Sequence, residues 1–328
     1  MKTIQRLLPS AMCALAITAG AGAQAASTYP DHPIRMVIGY APGGPTDVIG
    51  RIIAKSMSDI LGQTVVIENK PGANAMIGTS AVQRERADGY TLLFSPIAYT
   101  INPLINPTLA KYDPRTSMEP VALVATLPLV MIASADSPYA TARAVVTAAK
   151  ARPDALTYGS SGNGSSPHLA AALLANATGT TMTHVSFRGN APAMAEVMAG
   201  RVDFMFYPMV GIASYIEARK LKALAIGTVQ QSPDFPGVPT MAEALGVQGF
   251  EHTAPWVGIL APQGTPAAVV AKLNQSVQTS LASAEVKKQL KEMGAVVAGG
   301  SAQDFSRFLA EDTERWAKLV KAANITGD

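Results

Sequence analysis

The sequence predicts an α/β protein of two lobes, each a mixed or parallel sheet flanked by helices. Short apolar strands alternate with amphipathic helices from Ile34 to Phe94, and the same alternation restarts near Leu156. Two apolar strands between the series, around Val121–Val124 and Leu129–Ala133, give the chain a passage from one to the other. Strands separated by helices pair in parallel through crossovers, and such sheets bind ligands beyond the carboxyl ends of their strands. The expected division is a first lobe over 27–127, a second over 128–252, and a return to the first over 253–328. The chain then crosses twice between lobes, which makes a hinge.

Each element has a local reason. Ile34 to Tyr40 is the first strand, and a helix opens with Gly44 as N-cap, Pro45 at its first position and Asp47 in its first turn. Val48, Ile49, Ile52, Ile53, Met57, Ile60 and Leu61 recur at helical spacing until Gly62 stops the run. Thr64–Glu68 is the second strand. The loop Asn69–Asn74, which brings Pro71–Asn74 to the rim at the carboxyl ends of the strands, leads to a helix ending near Arg86, and Asp88 and Gly89 turn the chain into a third strand, Tyr90–Phe94. Residues 100–120, rich in Pro and Asn and poorly periodic, are expected to run over the surface. The second series comprises helix Ala140–Ala151, strand Leu156–Tyr158, helix Pro167–Ala177, strand Met182–Phe187, helix Ala191–Ala199 and strand Val202–Phe206. Helix Ile212–Ala218, strand Leu221–Ile226, strand Trp256–Leu260 and helices within Ala267–Met293 and Ala302–Ala323 complete the chain.

The ends and the charge bound the function. Lys2 and Arg6 precede an apolar run, Ala11–Ala23, and Ala23, Gln24, Ala25 form an A-x-A cleavage site, so residues 1–26 read as a Sec-type signal peptide cut near Ala25 or Ala26. Cys13 is the single cysteine and lies inside that leader, which excludes disulfides, thiol catalysis and cysteine-bound metals from the mature chain. Losing Lys2 and Arg6 from 26 basic residues leaves 24 against 23 acidic ones. A nearly neutral surface argues against nucleic acid, and no polybasic run suits a membrane surface.

Catalytic signatures are sparse. The four histidines, at 32, 168, 184 and 252, form no His-x-His or His-x-x-x-His pair. Ser161 has Gly159 two residues before it but Asn163 two after, so it is no nucleophile elbow, and neither a P-loop lysine nor a complete GxGxxG occurs. The distinctive features are two glycine-rich loops that each enter a helix: Ala41, Pro42, Gly43, Gly44, Pro45, Thr46, Asp47 in the first series, and Gly159–Ser166 in the second. Exposed N–H groups at a helix N-terminus attract an anion, and Ser161, Asn163, Ser165 and Ser166 add neutral donors. One helix terminus contributes only about 0.3–1 kcal/mol, whereas micromolar affinity needs about 8 kcal/mol. The expected device is therefore two opposed loops closing over one small anion.

Other residues carry two readings. Asp47 either satisfies N–H groups of its own helix or accepts a bond from a ligand. His168, one turn into the second helix, is a packed histidine or a ligand contact. Arg188, in FRGNAP, pairs with a carboxylate or braces its loop, and Asn190 is a cap or a contact beside Gly189. Asp203 either reaches the rim or pairs with a structural base. Ser95 and Tyr99 arrive at the end of the third strand, where Tyr99 walls the pocket or fills the core. Trp256 stands near the inferred crossing, and Trp316 packs.

The stretch YPDHPIRMVIGYAPGGPTDVIGRIIAKSMSDILGQTVVIENKPGANAMIGTSAVQRERADGYTLLF resembles the N-terminal half of the Bug, or TctC, family, the extracytoplasmic solute receptors of tripartite tricarboxylate transporters. FRGNAPAMAEVMAGRVDFMF and WVGILAPQGTPAAVVAKLNQSV are similar to later blocks of that family, so the resemblance spans nearly the whole mature chain. It implies a two-lobed periplasmic-binding-protein fold of the Venus-flytrap type II class and a monomer in the periplasm. It implies capture of a small carboxylate and delivery to the large and small membrane subunits of a transporter, with no cofactor, metal or catalytic residue. Family members commonly hold a ligand carboxylate on the first strand-to-helix loop with ordered water assisting, which maps to Ala41 through Asp47. From the second lobe the matching positions are Gly162–His168 and Gly189–Asn190. Where the family often has a threonine-containing loop, this chain has GSSGNGSS, and the ligand stays open among di- and tricarboxylates, acidic amino acids, aromatic acids and nicotinate-like compounds. A sensor that signals to a two-component kinase is the alternative, and a secreted hydrolase a remote one.

Overall fold

The computed structural model describes residues 29–209, 211–322 and 325, and the expected leader with Cys13 lies outside them. Alternate residues of the first strand, β1 (Ile34–Ile38), point to opposite faces of its sheet, and both faces are covered. Ile34, Met36 and Ile38 pack under α1 (Pro45–Leu61), whereas Val37 belongs to the core on the other side. α1 lies close on the sheet because Gly50 has no side chain: a Cβ there would stand 2.7 Å from Ile38 Cδ1. Ile49, Ile53 and Met57 of α1 are fully buried, and each such side chain is worth about 1.5–3 kcal/mol. Gly62 ends the helix in the left-handed conformation with its N–H on Ser58 O.

β2 (Val65–Asn69), α2 (Met76–Gln83) and β3 (Thr91–Pro96) follow, and β1 pairs in parallel with both β2 and β3. α3 (Ala98–Ile105) then corrects the expectation of a surface passage. Tyr99, Thr100, Ile101 and Asn102 are buried, and Pro103 is carried inside the helix. The apolar Ile97, Ile101 and Ile105, spaced by four, supply the inward face that the Pro and Asn content obscured.

β4 (Met118–Thr126) completes this part of the first sheet, and β5 (Leu129–Ser134) begins the second. α4 (Ala142–Ala151), β6 (Thr157–Ser160), α5 (Ser166–Thr178), β7 (Thr183–Ser186), α6 (Asn190–Met198), β8 (Phe204–Pro208), α7 (Ala213–Glu217) and β9 (Leu221–Ile226) build that sheet and its helices. After α8 (Met241–Leu245) and a 3-10 turn over Phe250–Thr253, β10 (Trp256–Pro262) returns to the first sheet. α9 (Ala267–Ala282), α10 (Ala284–Glu292), β11 (Val296–Val297) and α11 (Ala302–Ala322) pack around it. No helix among the described residues is long and apolar enough to cross a membrane.

The strand orders are β2-β1-β3-β10-β4-β11 and β7-β6-β8-β5-β9. Each places a parallel trio next to one antiparallel strand, β10 in the first sheet and β5 in the second, and each of those two strands enters its sheet directly from a crossing. The crossing segments are themselves paired, Leu127 N to Pro255 O at 2.7 Å and Gly227 N to Leu129 O at 2.7 Å.

Candidate functional site

Four strand-to-helix loops meet where the carboxyl ends of β1, β2, β6 and β7 face one another. They enclose a cavity of about 300 Å³ lined by Tyr40, Gly72–Met76, Asn106 and Leu109 on one side and by Ser161–Asn163 and Ser186–Arg188 on the other. That volume is at the small end of ligand sites, about 300–1,000 Å³. Both sheets contribute, so the cavity exists only while the two sides are together.

The β1–α1 loop is built around Asp47, which is buried. Its Oδ2 accepts the Gly43 N–H at 2.9 Å, Arg51 donates to both carboxylate oxygens at 2.9 and 3.0 Å, and Asn69 donates to Oδ1 at 2.9 Å. Burial alone would push this carboxyl upward, but the Arg51 guanidinium, the Gly43 N–H and the Asn69 amide together hold it below the ordinary aspartate range. Its acceptor sites are spent within the loop, which is the helix-bracing reading in a wider form. Thr46 is buried beside it, Pro42 and Gly43 are exposed, and Gly44 faces Asn190 and Ala191 across the cleft. The Ala41 N–H donates to Arg188 O at 3.4 Å, and Gly189 packs against Ala41. This loop thus docks on the start of α6, and Tyr40 is its contribution to the cavity lining.

The β2–α2 loop is the part that sequence reasoning underweighted. Gly72, Ala73, Asn74 and Ala75 take consecutive positive φ values of 133°, 46°, 47° and 69°. Three successive non-glycine residues in that region store strain, and such outliers cluster at ligand clamps. Asn74 is fixed by the Tyr40 hydroxyl, which donates to its Oδ1 at 2.5 Å, and by Asn102, to which its Nδ2 donates at 2.9 Å. Asn102 returns a bond to Asn74 O at 2.8 Å. The tight fit of α2 against β1 requires Gly39 and Gly78, since a Cβ on Gly39 would stand 2.4 Å from that of Ala75. The sequence signal was present as NKPGAN, but nothing in it announces left-handed alanines.

The β6–α5 loop carries Ser161, Asn163, Ser165 and Ser166. Ser161 and Asn163 line the cavity; Ser165 and Ser166 are buried at the first turn of α5. His168 lies behind them: its Nδ1 accepts the Gly164 N–H at 3.0 Å, and its ring stacks on His184 at 4.2 Å. Burial, reinforced by the neighbouring His184, lowers its pKa to about 3, so it is neutral and holds the loop from inside rather than pairing with an anion. Ser160 Oγ is 2.6 Å from His184 Nε2, a nucleophile-to-base distance. Ser160 is nevertheless fully buried, donates to Gly162 O at 3.0 Å and accepts from Gly162 N at 3.1 Å, which makes it a loop brace.

Of the other expected residues, Asn190 opens α6 beside the first loop. Its Oδ1 and the Ser165 Oγ are buried with no hydrogen-bond partner among the described residues. Besides Asp47 and His168, which brace their own loops, three more expectations are corrected. Asp203 accepts from Thr157 N and Oγ1 at 2.7 and 2.9 Å, at the amino ends of β6 and β8; because those strands are parallel, that end is the rim opposite the cavity. Ser95 is enclosed in β3, donating to Pro96 O, and Tyr99 fills the core, stacked on Tyr112 at 5.1 Å. β3 lies inside the sheet and its following helix turns inward, so neither side chain lines the cavity. No group of three or more potential metal ligands occurs among the described residues.

Comparison with known proteins agrees on one class. The family described as "Tripartite tricarboxylate transporter family receptor" matches residues 49–325. A UPF0065 protein of the tcbD-tcbE intergenic region of Pseudomonas sp. (strain P51) is 37% identical over 303 residues, 92% of this chain and 90% of that protein. BugT of Bordetella pertussis is 34% identical over 309 residues, 93% of each chain. Among solved structures, the periplasmic binding protein BugD superposes with a TM-score of 0.87 at 34% identity, covering 92% of this chain and all (100%) of its own. Rpa4515 of R. palustris with adipate gives 0.86 at 34% identity, covering 91% and 99%. MatC of Rhodopseudomonas palustris with bound malate gives 0.83 at 30% identity, covering 89% and 100%.

Proposed function

The chain belongs to the tripartite tricarboxylate transporter receptor family, and we propose that it captures a small carboxylate in the cleft between its two lobes. The lobes are taken as 27–127 with 253–328, and 128–252, and the crossings between β4 and β5 and between β9 and β10 serve as the hinge. The protein works in the periplasm after removal of residues 1–26, and passes its ligand, chemically unchanged, to the large and small membrane subunits of a transporter.

The observation that carries this reading is one cavity lined by strand-to-helix loops of both sheets, with the N-termini of α2, α5 and α6 around it. Helix N-termini favour negative charge, and the neutral donors of Ser161 and Asn163 suit a carboxylate without a metal. Similar proteins solved with adipate and with malate point to the same ligand class.

A thermal-shift panel of mono-, di- and tricarboxylic and aromatic acids tests it. A ligand at 100 times its dissociation constant stabilises the folded state by about 2.7 kcal/mol, so at least one acid raises the midpoint by several degrees. A panel in which no acid moves the midpoint would remove the support for carboxylate capture.

A further inference from the structure

Arg188 follows β7 in the turn that starts α6, and its main chain belongs to the contact between the lobes, since its carbonyl accepts the Ala41 N–H. Arg188 lines the cavity, is exposed, and is the only residue of that lining with a formally charged side chain. Among the described residues no carboxylate pairs with it. The nearest candidate by sequence pattern, Asp47, is saturated by Arg51, Asn69 and Gly43. Other arginines that touch acids, such as Arg35 with Glu68 and Glu85 or Arg115 with Asp113, are spent on structural pairs.

The interior differs chemically from that rim. The Tyr40 hydroxyl and the Asn74 amide are engaged with each other and with Asn102, so what remains there is neutral: the left-handed turn Gly72–Ala75, the hydroxyl of Ser161 and the amide of Asn163. A carboxylate held by neutral donors and a second one held by a guanidinium are different subsites. The guanidinium offers two parallel N–H bonds to a carboxylate, which no amide end group can use in the same way. A third carboxylate would enter the closed cleft with no charge partner.

We infer that Arg188 is a specificity-determining residue that makes the ligand a linear dicarboxylate, one end in the neutral interior and the other on the guanidinium at the rim. This rests on the carboxylate-capture reading above and adds the charge pattern of the ligand to it. Tricarboxylates of similar length are rejected, and monocarboxylates use only the interior.

The test is a two-by-two cycle measured by calorimetric titration. The four ligands succinate, glutarate, adipate and pimelate are ranked on the full protein, and the best binder is compared with its own ω-monoamide, which has the same length and one charge fewer. Both are then titrated into Arg188→Gln, whose unchanged thermal midpoint shows that the fold is intact. The unmodified protein should prefer the dicarboxylate over the monoamide about tenfold, equivalent to about 1.4 kcal/mol. Arg188→Gln should lose about tenfold for the dicarboxylate and almost nothing for the monoamide, collapsing the preference. A preference that survives Arg188→Gln overturns the inference while leaving carboxylate capture intact, as does a tricarboxylate such as tricarballylate binding as tightly as the dicarboxylate. Failure of every acid to bind the unmodified protein overturns the capture reading, and this inference with it.

Discussion

His168 shows what a single residue of the second loop does. The Gly164 N–H bond to Nδ1 needs an unprotonated nitrogen, and burial against His184 and Tyr158 penalises the charged ring. With the folded pKa at about 3 and the reference value at 6.5, the unfolded chain binds the extra proton first as pH falls. Stability contributed by neutral His168 is therefore complete above about pH 6.5 and is lost progressively toward pH 3, by about 2 kcal/mol at pH 5. Urea unfolding at pH 7 and pH 5 should show a smaller drop for His168→Asn, whose amide oxygen can still accept from Gly164; equal drops would discount the role. From sequence, His168 stood between packing and ligand contact because a histidine at a helix start fits either, and only its neighbours decide. Asp47 was legible for the first loop, yet its partners Arg51 and Asn69 are 4 and 22 residues away, and the second distance is invisible to local pattern.

At the scale of elements, the strand-and-helix alternation was read almost throughout, because the apolar spacing, Gly44, Pro45 and Gly62 act locally. The failures are non-local. α3 was missed because Pro103 and Asn102 mask a face whose burial comes from α11 and β10, and Asp312 is the joint that holds that face. It accepts from Thr100 Oγ1 at 2.9 Å, from Trp256 Nε1 at 2.7 Å and from Arg315, tying α3, β10 and α11 together. Burial raises its pKa against the pull of those donors. Asp312→Ala should cost about 2 kcal/mol, since the buried Trp256 Nε1 loses its acceptor while Thr100 Oγ1 keeps Ile97 O and the half-exposed Arg315 turns to solvent, and a chemical-denaturation shift below 1 kcal/mol would refute that role. The β2–α2 loop was likewise seen as a rim segment but not as a strained one. Glycine relieves a positive φ, so Ala73→Gly should leave stability equal or raise it by up to about 1 kcal/mol while weakening the ligand, because a looser turn must be ordered on binding. Stability and affinity that fall together would instead mark Ala73 as a packing residue.

Closure, in the proposed capture, is a property of the whole molecule, and Gly164 is placed where it would limit it. Gly164 of the second lobe lies against α3 of the first: a Cβ on it would stand 2.0 Å from Ile105 Cδ1 and 3.3 Å from Asn74 Nδ2. Its φ of +73° makes any side chain there strained as well, so Gly164→Ala carries a local cost whether the lobes are together or apart. The wedge, by contrast, acts only when they meet. Gly164→Ala should therefore lower stability by about 1 kcal/mol and also weaken carboxylate binding at least tenfold, with the ligand-induced decrease in radius of gyration reduced in solution scattering. Ile105→Val removes the Cδ1 that the new methyl strikes but leaves the backbone strain untouched. In the Gly164→Ala background it should recover most of the lost affinity and compaction without recovering the stability. If the double variant binds as poorly as the single one, the glycine is needed for the loop's own shape, and the contact between lobes does not limit closure.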